Sequence, residues 1–217
     1  MATSDEERWN NRFSAEHYIF GQAPNEFLQR KAGGLPPGKA LCIADGEGRN
    51  GVWLAEQGWD VLSLDFSEMG QRKAAALAAQ RGVTLSLEHG DVHGWVYPWH
   101  RFDLVVDIFT QFSDETERAR KWQGLRHSLK IGGHLILVGY TPRQLAYGTG
   151  GPKDAKRLYT AELLRQAFAG MEILHFEETE TVLDEGPGHR GMSAFIGMLA
   201  RSKALGRRTG AIKGQSE

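Results

Sequence analysis

The chain predicts an α/β fold, a mostly parallel sheet with helices on both faces. Three observations predict it. Short apolar runs alternate with helical patterns through the middle of the chain. A glycine-rich turn joins the first such run to the first helix that follows it. Near the C-terminus the alternation breaks, and two strand-like runs are separated by too little chain for a parallel crossover.

Residues 1–30 are rich in aromatics (Trp9, Phe13, Tyr18, Phe20 and Phe27), and Gly21 and Pro24 interrupt them, which predicts two short helices. The turn cluster Gly33-Gly34-Leu35-Pro36-Pro37-Gly38 marks the start of the core domain. Ala40 to Ala44 reads as a short buried strand, Asn50 to Gln57 as a helix with Val52, Leu54 and Ala55 apolar, and Trp59 to Leu64 as a second strand. Ser67 suits the N-cap of an Ala-rich helix from Glu68 to Gln80, and Gly82 follows its end. Val83, Leu85 and Leu87 alternate with Thr84, Ser86 and Glu88, the period of a strand. Leu104 to Phe109 has the unbroken apolar character of a central parallel strand. Asp114 opens a charged helix reaching about Lys130, Gly132-Gly133 stops it, and His134 to Val138 is the next strand. Thr160 caps a helix from Ala161 to Phe168.

Glu172 to Val182 and Ala194 to Ala200 read as the last two strands. Between them, Gly186, Pro187, Gly188 and Gly191 make poor material for a helix, so the two strands are expected to be antiparallel neighbours. From Ser202 onward the chain is Gly- and charge-rich, which predicts a mobile tail. The expected organisation is an N-terminal helical cap over 1–34, one core domain over 35–202 and the tail over 203–217.

The 217 residues fit one domain with short extensions. Lys+Arg (26) and Asp+Glu (27) nearly cancel, so the totals show no basic surplus of the kind a duplex-binding protein carries. No nucleic-acid partner is expected. Cys42 is the single cysteine, which rules out an intramolecular disulfide and a cysteine-based zinc cluster and suits a reducing cytoplasm. No metal is expected. The acidic, polar start of the chain is unlike a signal peptide, and no apolar run is long enough to span a membrane. A cytoplasmic monomer or homodimer is the expectation.

The strongest motif is the turn Ala44-Asp45-Gly46-Glu47-Gly48-Arg49-Asn50-Gly51, entered by a strand and left by a helix. Small residues let the backbone approach a ligand, and the helix start offers unpaired N–H groups. Gly46 to Gly51 also spells the dinucleotide fingerprint, and Asp65 falls about where that pattern wants an acidic residue on a ribose. Asp45 and Glu47 inside the turn would repel a pyrophosphate, whereas a ligand carrying a sulfonium and an ammonium tolerates them.

On these residues the chain resembles the class I S-adenosylmethionine-dependent methyltransferases, clearly over about residues 38–140. Its N-terminal segment, Trp9-Asn10-Asn11-Arg12-Phe13 continuing to Tyr18-Ile19-Phe20-Gly21, is similar in particular to the tellurite-resistance and thiopurine methyltransferase branch. The resemblance implies a Rossmann-like sheet of seven strands whose last strand is antiparallel, S-adenosyl-L-methionine as cofactor, and methyl transfer to a small-molecule acceptor such as a thiol or a chalcogen oxyanion. It implies that Ala44, Asp45, Gly46, Gly48, Arg49 and Asn50 line the cofactor's amino-acid and ribose portions. Asp65, with Phe66 and Ser67, would take the ribose hydroxyls, Asp91 and Val92 would lie beside the adenine, and Asp107 and Phe109 near the methionine moiety. Arg12, counted with the cofactor contacts, would meet a carboxylate of either the cofactor or the acceptor. The acceptor would lie among Trp9, Tyr18, Phe112, Tyr140, Tyr147, His189 and Arg190, with Gln111 following a strand end and Gly148 to Gly151 as a flap. A loop histidine such as His189 is more often a solvated surface residue. The chain departs from the family at Cys42, where most members carry Asp or Glu.

Three other readings stay open at this point. One is a nicotinamide-dependent oxidoreductase. Another is an RNA-modifying protein using the basic run Arg118-Ala119-Arg120-Lys121 with Arg126 and Lys130. The third is a cofactor-binding module without activity. No residue pair stands out as a general acid and base, so the catalytic side chains are not assigned.

Overall fold

The computed structural model describes residues 4–204. Its seven strands are β1 (Lys39–Ile43), β2 (Asp60–Asp65), β3 (Ser86–His89), β4 (Phe102–Ile108), β5 (Leu129–Tyr140), β6 (Glu172–Asp184) and β7 (Arg190–Arg201). They form one sheet in the order β3-β2-β1-β4-β5-β7-β6. Strands β1 to β5 pair in parallel, and β7 runs antiparallel to both β5 and β6. The expected Rossmann-like architecture is therefore present, and the short Gly-rich link between the last strands is a hairpin connection.

The six helices are α1 (Asp5–Phe13), α2 (Glu26–Ala32), α3 (Arg49–Glu56), α4 (Glu68–Arg81), α5 (Glu115–Ser128) and α6 (Ala161–Ala167). Alternate residues of β1 show why its run is apolar throughout. Leu41 and Ile43 pack into a core with Trp122 and Leu125 of α5 and Leu164 of α6. Ala40 and Cys42 pack into the opposite core with Phe27 and Leu28 of α2 and Trp53 and Leu54 of α3. A strand buried on both faces needs apolar residues at every position. Each fully buried Leu or Phe contributes about 1.5–3 kcal/mol by leaving water. Helix α4 packs beside α3 through Leu77 and Ala78 against Val52. Ser67 caps α4 and Gly82 ends it in the left-handed conformation, as their residue types predict.

Two strand boundaries differ from expectation. β3 begins at Ser86, because Val83 and Leu85 turn inward beside α4 and β3 itself is an exposed edge strand. β5 begins at Leu129, directly after α5, so Gly132-Gly133 lies inside a strand and does not end a helix. The β4–β5 register shifts there, and a Cβ at Gly133 would sit 3.0 Å from the Phe102 carbonyl oxygen. Glycine marks an irregular strand at this point. The tail expected over 203–217 lies outside the described residues from 205 on. Among the described residues, no helix is long and apolar enough to cross a membrane.

Candidate functional site

The carboxyl ends of β1, β2 and β4 meet α1 and the β6–β7 hairpin tip around a cleft. Ala44 and Phe109, at the ends of β1 and β4, both line it with left-handed backbone (φ 45° and 56°). Non-glycine residues seldom adopt this conformation, and those that do cluster at ligand sites. Gly46 has φ 56°, and a Cβ there would meet the Phe13 ring at 3.0 Å. The turn therefore needs glycine both for its dihedral and for the close approach of α1.

Asp65 ends β2, buried beneath this turn. Its Oδ2 accepts from the Gly46 amide at 2.8 Å and its Oδ1 from the Ser67 amide at 2.8 Å. Burial raises its pKa and the backbone N–H groups of Ser67, Gly46 and Phe66 lower it, with burial the stronger. Each oxygen keeps a lone pair for a further donor. Asp45 points the other way. Its carboxylate accepts from the Ser63 hydroxyl at 2.9 Å and the Gly51 amide at 3.3 Å, pinning the turn to β2 and to the start of α3. Burial pushes its pKa up to about 6.

Glu47, which the sequence shows only as a turn residue, fastens the roof. Its Oε2 accepts from the Ile19 amide at 2.8 Å, and Oε1 accepts from Lys73 Nζ at 2.6 Å. Lys73 Nζ also donates to the carbonyls of Ala15 and His17 at 2.7 Å. Asn10 of α1 accepts from the Ser67 hydroxyl at 2.7 Å and the Met69 amide at 3.2 Å, so α1 is tied to the start of α4. Trp9, Phe13 and Phe20 then cover the cleft as a mutually packed aromatic cluster. The other N-terminal helix, α2, lies in the core against the sheet, away from the cleft.

A second network closes the far side. Glu185, in the hairpin tip, accepts from Arg49 at 2.8 Å and from the Asn25 side-chain amide at 2.9 Å. Burial pushes this carboxyl up, but His189, Arg49 and Asn25 outweigh it and hold it at about 2. The His189 ring nitrogen stands 3.8 Å from Glu185, beyond hydrogen-bond length, so Arg49 and Asn25 are the close partners. His189 is 8% exposed, unlike the solvated surface residue that a loop histidine more often is, because Phe20 and Phe109 pack on its ring at 4.6 and 4.5 Å. Burial lowers its pKa. The Arg49 Nη1, His189 Nδ1 and Tyr140 hydroxyl are buried without a hydrogen-bond partner among the described residues.

The cleft extends in two directions. Toward β3 it reaches Asp91, Val92 and His93, sharing Trp9, Ala44, Asp65, Phe66 and Phe112 with the main chamber. Past Phe109 and Phe112 it opens into an outer chamber lined by Arg8, Arg12, Gln111, Tyr140, Arg157 and His189.

Of the residues singled out in the sequence, Trp9, Ala44, Asp45, Gly46, Arg49, Asn50, Asp65, Phe66, Phe109, Phe112 and His189 surround the main chamber. Arg12 and Tyr140 line the outer one. Gly48 and Ser67 act one step back, within the turn and the α4 cap. Four residues lie off the cleft. Asp107 is wholly buried, accepting from Thr110 and from Trp122 Nε1 at 3.2 Å. Tyr18 donates to the Lys73 carbonyl at 3.1 Å, Tyr147 donates to Glu180, and Arg190 pairs with Asp184 at 3.2 Å. Each has a polar partner elsewhere that turns it from the chamber.

The basic run of α5 presents no continuous basic face. Lys121 is fully buried and donates to the Thr110 carbonyl at 2.8 Å, while Arg118 is buried and donates to the Lys156 carbonyl at 2.7 Å. Cys42 sits in the core, and burial raises its thiol pKa.

Residues 40–133 match the family described as a methyltransferase domain. No curated protein matches the chain. Among solved structures, one is described by the conversion of a disulfide bond into a thioacetal group during echinomycin biosynthesis. It is 21% identical, with a TM-score of 0.73, over 92% of this chain and 94% of that one. TehB from Haemophilus influenzae is 19% identical, with a TM-score of 0.68, over 91% of this chain and 67% of its own. An S-adenosylmethionine-dependent methyltransferase from Methanosarcina mazei is 18% identical, with a TM-score of 0.62, over 83% and 99%. At these identities the structural likeness establishes the fold.

Proposed function

We propose that the chain is a class I S-adenosylmethionine-dependent methyltransferase, a reading supported by the methyltransferase-domain match over residues 40–133, and that its acceptor is a small soft nucleophile, a thiolate or a chalcogen oxyanion. One observation carries this reading. The outer chamber's described lining contains no carboxylate, and its one histidine, His189, is buried with a lowered pKa. The walls thus offer no strong base, and a nucleophile already deprotonated needs none. The chamber is also roofed by Trp9 and Phe20, which suits a small acceptor. A solved neighbour whose description concerns sulfur chemistry supports the same class.

The residues present fit the cofactor. Asp65 keeps acceptor capacity for two ribose hydroxyls, and Arg49 Nη1 is buried without a partner among the described residues. We assign Asp65, Phe66 and the Gly46 backbone to the ribose, Asp91 and Val92 to the adenine end, and Arg49 to the amino-acid end. When bound, S-adenosylmethionine would supply an electrophilic methyl group to the acceptor's lone pair. The chain's contribution is alignment and the exclusion of water by Trp9, Phe13, Phe20 and Phe112, which is enough for a reactive electrophile.

The test is production of S-adenosylhomocysteine across a panel of thiols, tellurite, selenite, amines and catechols. Turnover is expected with the thiols or the chalcogen oxyanions. Turnover confined to amines or catechols would overturn the assignment.

A further inference from the structure

Three arginines converge on the outer chamber. Arg8, Arg12 and Arg157 line it, and its described lining contains no Asp or Glu. The whole chain carries 26 basic and 27 acidic residues, so this is a local separation of charge. Elsewhere the basic residues are commonly neutralised close by, as Arg49 is by Glu185, Lys73 by Glu47 and Lys130 by Asp103. Neither Arg12 nor Arg157 has an ion-pair partner among the described residues, and Arg8 pairs only with exposed Asp5 at 3.1 Å. Like charges gathered around an apolar wall repel one another unless a counter-charge joins them.

The arginines are also held in place. The Arg12 guanidinium lies over the Trp9 and Phe20 rings at 5.1 and 5.0 Å, which fixes it at the mouth of the chamber. Burial lowers its pKa, Glu47 raises it and neighbouring Arg8 lowers it again. The Arg157 backbone is anchored by Gln111, whose amide donates to the Arg157 carbonyl at 3.0 Å and to the Tyr140 carbonyl at 2.9 Å. The Tyr140 hydroxyl beside them is buried and unpartnered, and burial keeps it protonated as a donor. Guanidinium forks and a tyrosine O–H are donors suited to an oxyanion.

We propose that the outer chamber is an anion subsite, in which Arg12, Arg157 and the Tyr140 hydroxyl select a methyl acceptor that carries a carboxylate or comparable oxyanion. This rests on the reading of the cleft as the place of methyl transfer, and it names the acceptor class further.

Two thiols that differ only in charge test it, 3-mercaptopropionate and 3-mercaptopropionamide. The acid is expected to show a KM about tenfold lower than the amide, the scale of one charge-assisted hydrogen bond. Arg157→Gln is expected to raise KM for the acid by about that factor with a smaller effect on kcat, and Arg157→Lys to restore part of it. Affinity for S-adenosylhomocysteine, measured alongside, separates loss of the subsite from loss of the fold. Equal KM values for acid and amide in the unmodified enzyme would overturn the anion subsite and leave the thiol reading standing. If neither thiol turns over, the thiol reading fails, and binding of inert propionate against propionamide decides the subsite. Salt-sensitive propionate binding that Arg157→Gln weakens supports it, and equal or absent binding overturns it.

Discussion

Asp45 lies in the turn after β1, Asp65 ends the neighbouring β2, and the two do opposite work. Asp65 faces the cleft with acceptor capacity to spare, whereas Asp45 faces inward onto Ser63 and Gly51. The inward position has a pH signature. Burial raises the Asp45 pKa to about 6, above its ordinary value of 3.8. Below that ordinary value the carboxyl is protonated in both folded and unfolded chains. As pH rises from about 4 to about 6 the unfolded chain ionises first, so stability falls over that window. Chemical denaturation of the protein and of Asp45→Asn across this range should show the unmodified chain losing about 1–3 kcal/mol relative to the variant. A difference that stays flat would show that Asp45 is not desolvated as described. The carboxylates of the turn were legible in the sequence as a pattern. Which of Asp45 and Asp65 faces the cleft was not, because the side-chain partners that turn Asp45 inward, Ser63 and Gly51, are met only in the folded chain.

At the scale of elements, the site is roofed by pieces that carry few apolar contacts of their own. Helix α1 is nine residues long and leaves only Phe13 buried. It stays in place through Asn10 on the α4 cap and through the Glu47–Lys73 clamp on the chain that follows it. Glu47→Gln keeps the shape and removes the charge, so the amides of residues 15–20 should exchange hydrogen at least about tenfold faster, as expected when a buried charged pair is broken. Mass-spectrometric exchange, with KM for the acceptor measured in parallel, checks this. Unaltered exchange there would mean the roof is held by its aromatics alone. The sequence showed the aromatics of this segment and predicted two short helices. It did not show that α2 would leave the roof for the sheet. Gly197 of β7 makes room for the Phe27 ring, 170 positions away in the chain, with a Cβ there only 2.5 Å from it.

At the scale of the molecule, the antiparallel β7 brings the β6–β7 hairpin back over the carboxyl ends of the parallel strands. Glu185 and His189 at its tip then join Arg49 and Asn25 from the other end of the chain. The cleft is thus assembled from sequence-distant parts, and a ligand that joins them should stabilise the whole fold by mass action. S-adenosylhomocysteine at about a hundred times its Kd should raise Tm by roughly 5–10 °C, with NADH giving no shift. Asp65→Ala should abolish most of that rise. A rise that survives this substitution would remove Asp65 from the ribose site.

By itself the sequence determined the layered α/β architecture, the antiparallel end of the sheet and the glycine turn, because each is a local consequence of apolar period, loop length and backbone freedom. Tertiary structure alone decided the rest. It buried Lys121 and Arg118 out of an apparently basic helix, drew His189 into the cleft, turned Asp107 and Tyr147 away, and gathered three arginines at the outer chamber. A side chain's charge and size are written in its own position, but its surroundings come from segments far along the chain, and those surroundings set whether it is a ligand contact, a strut or a surface residue.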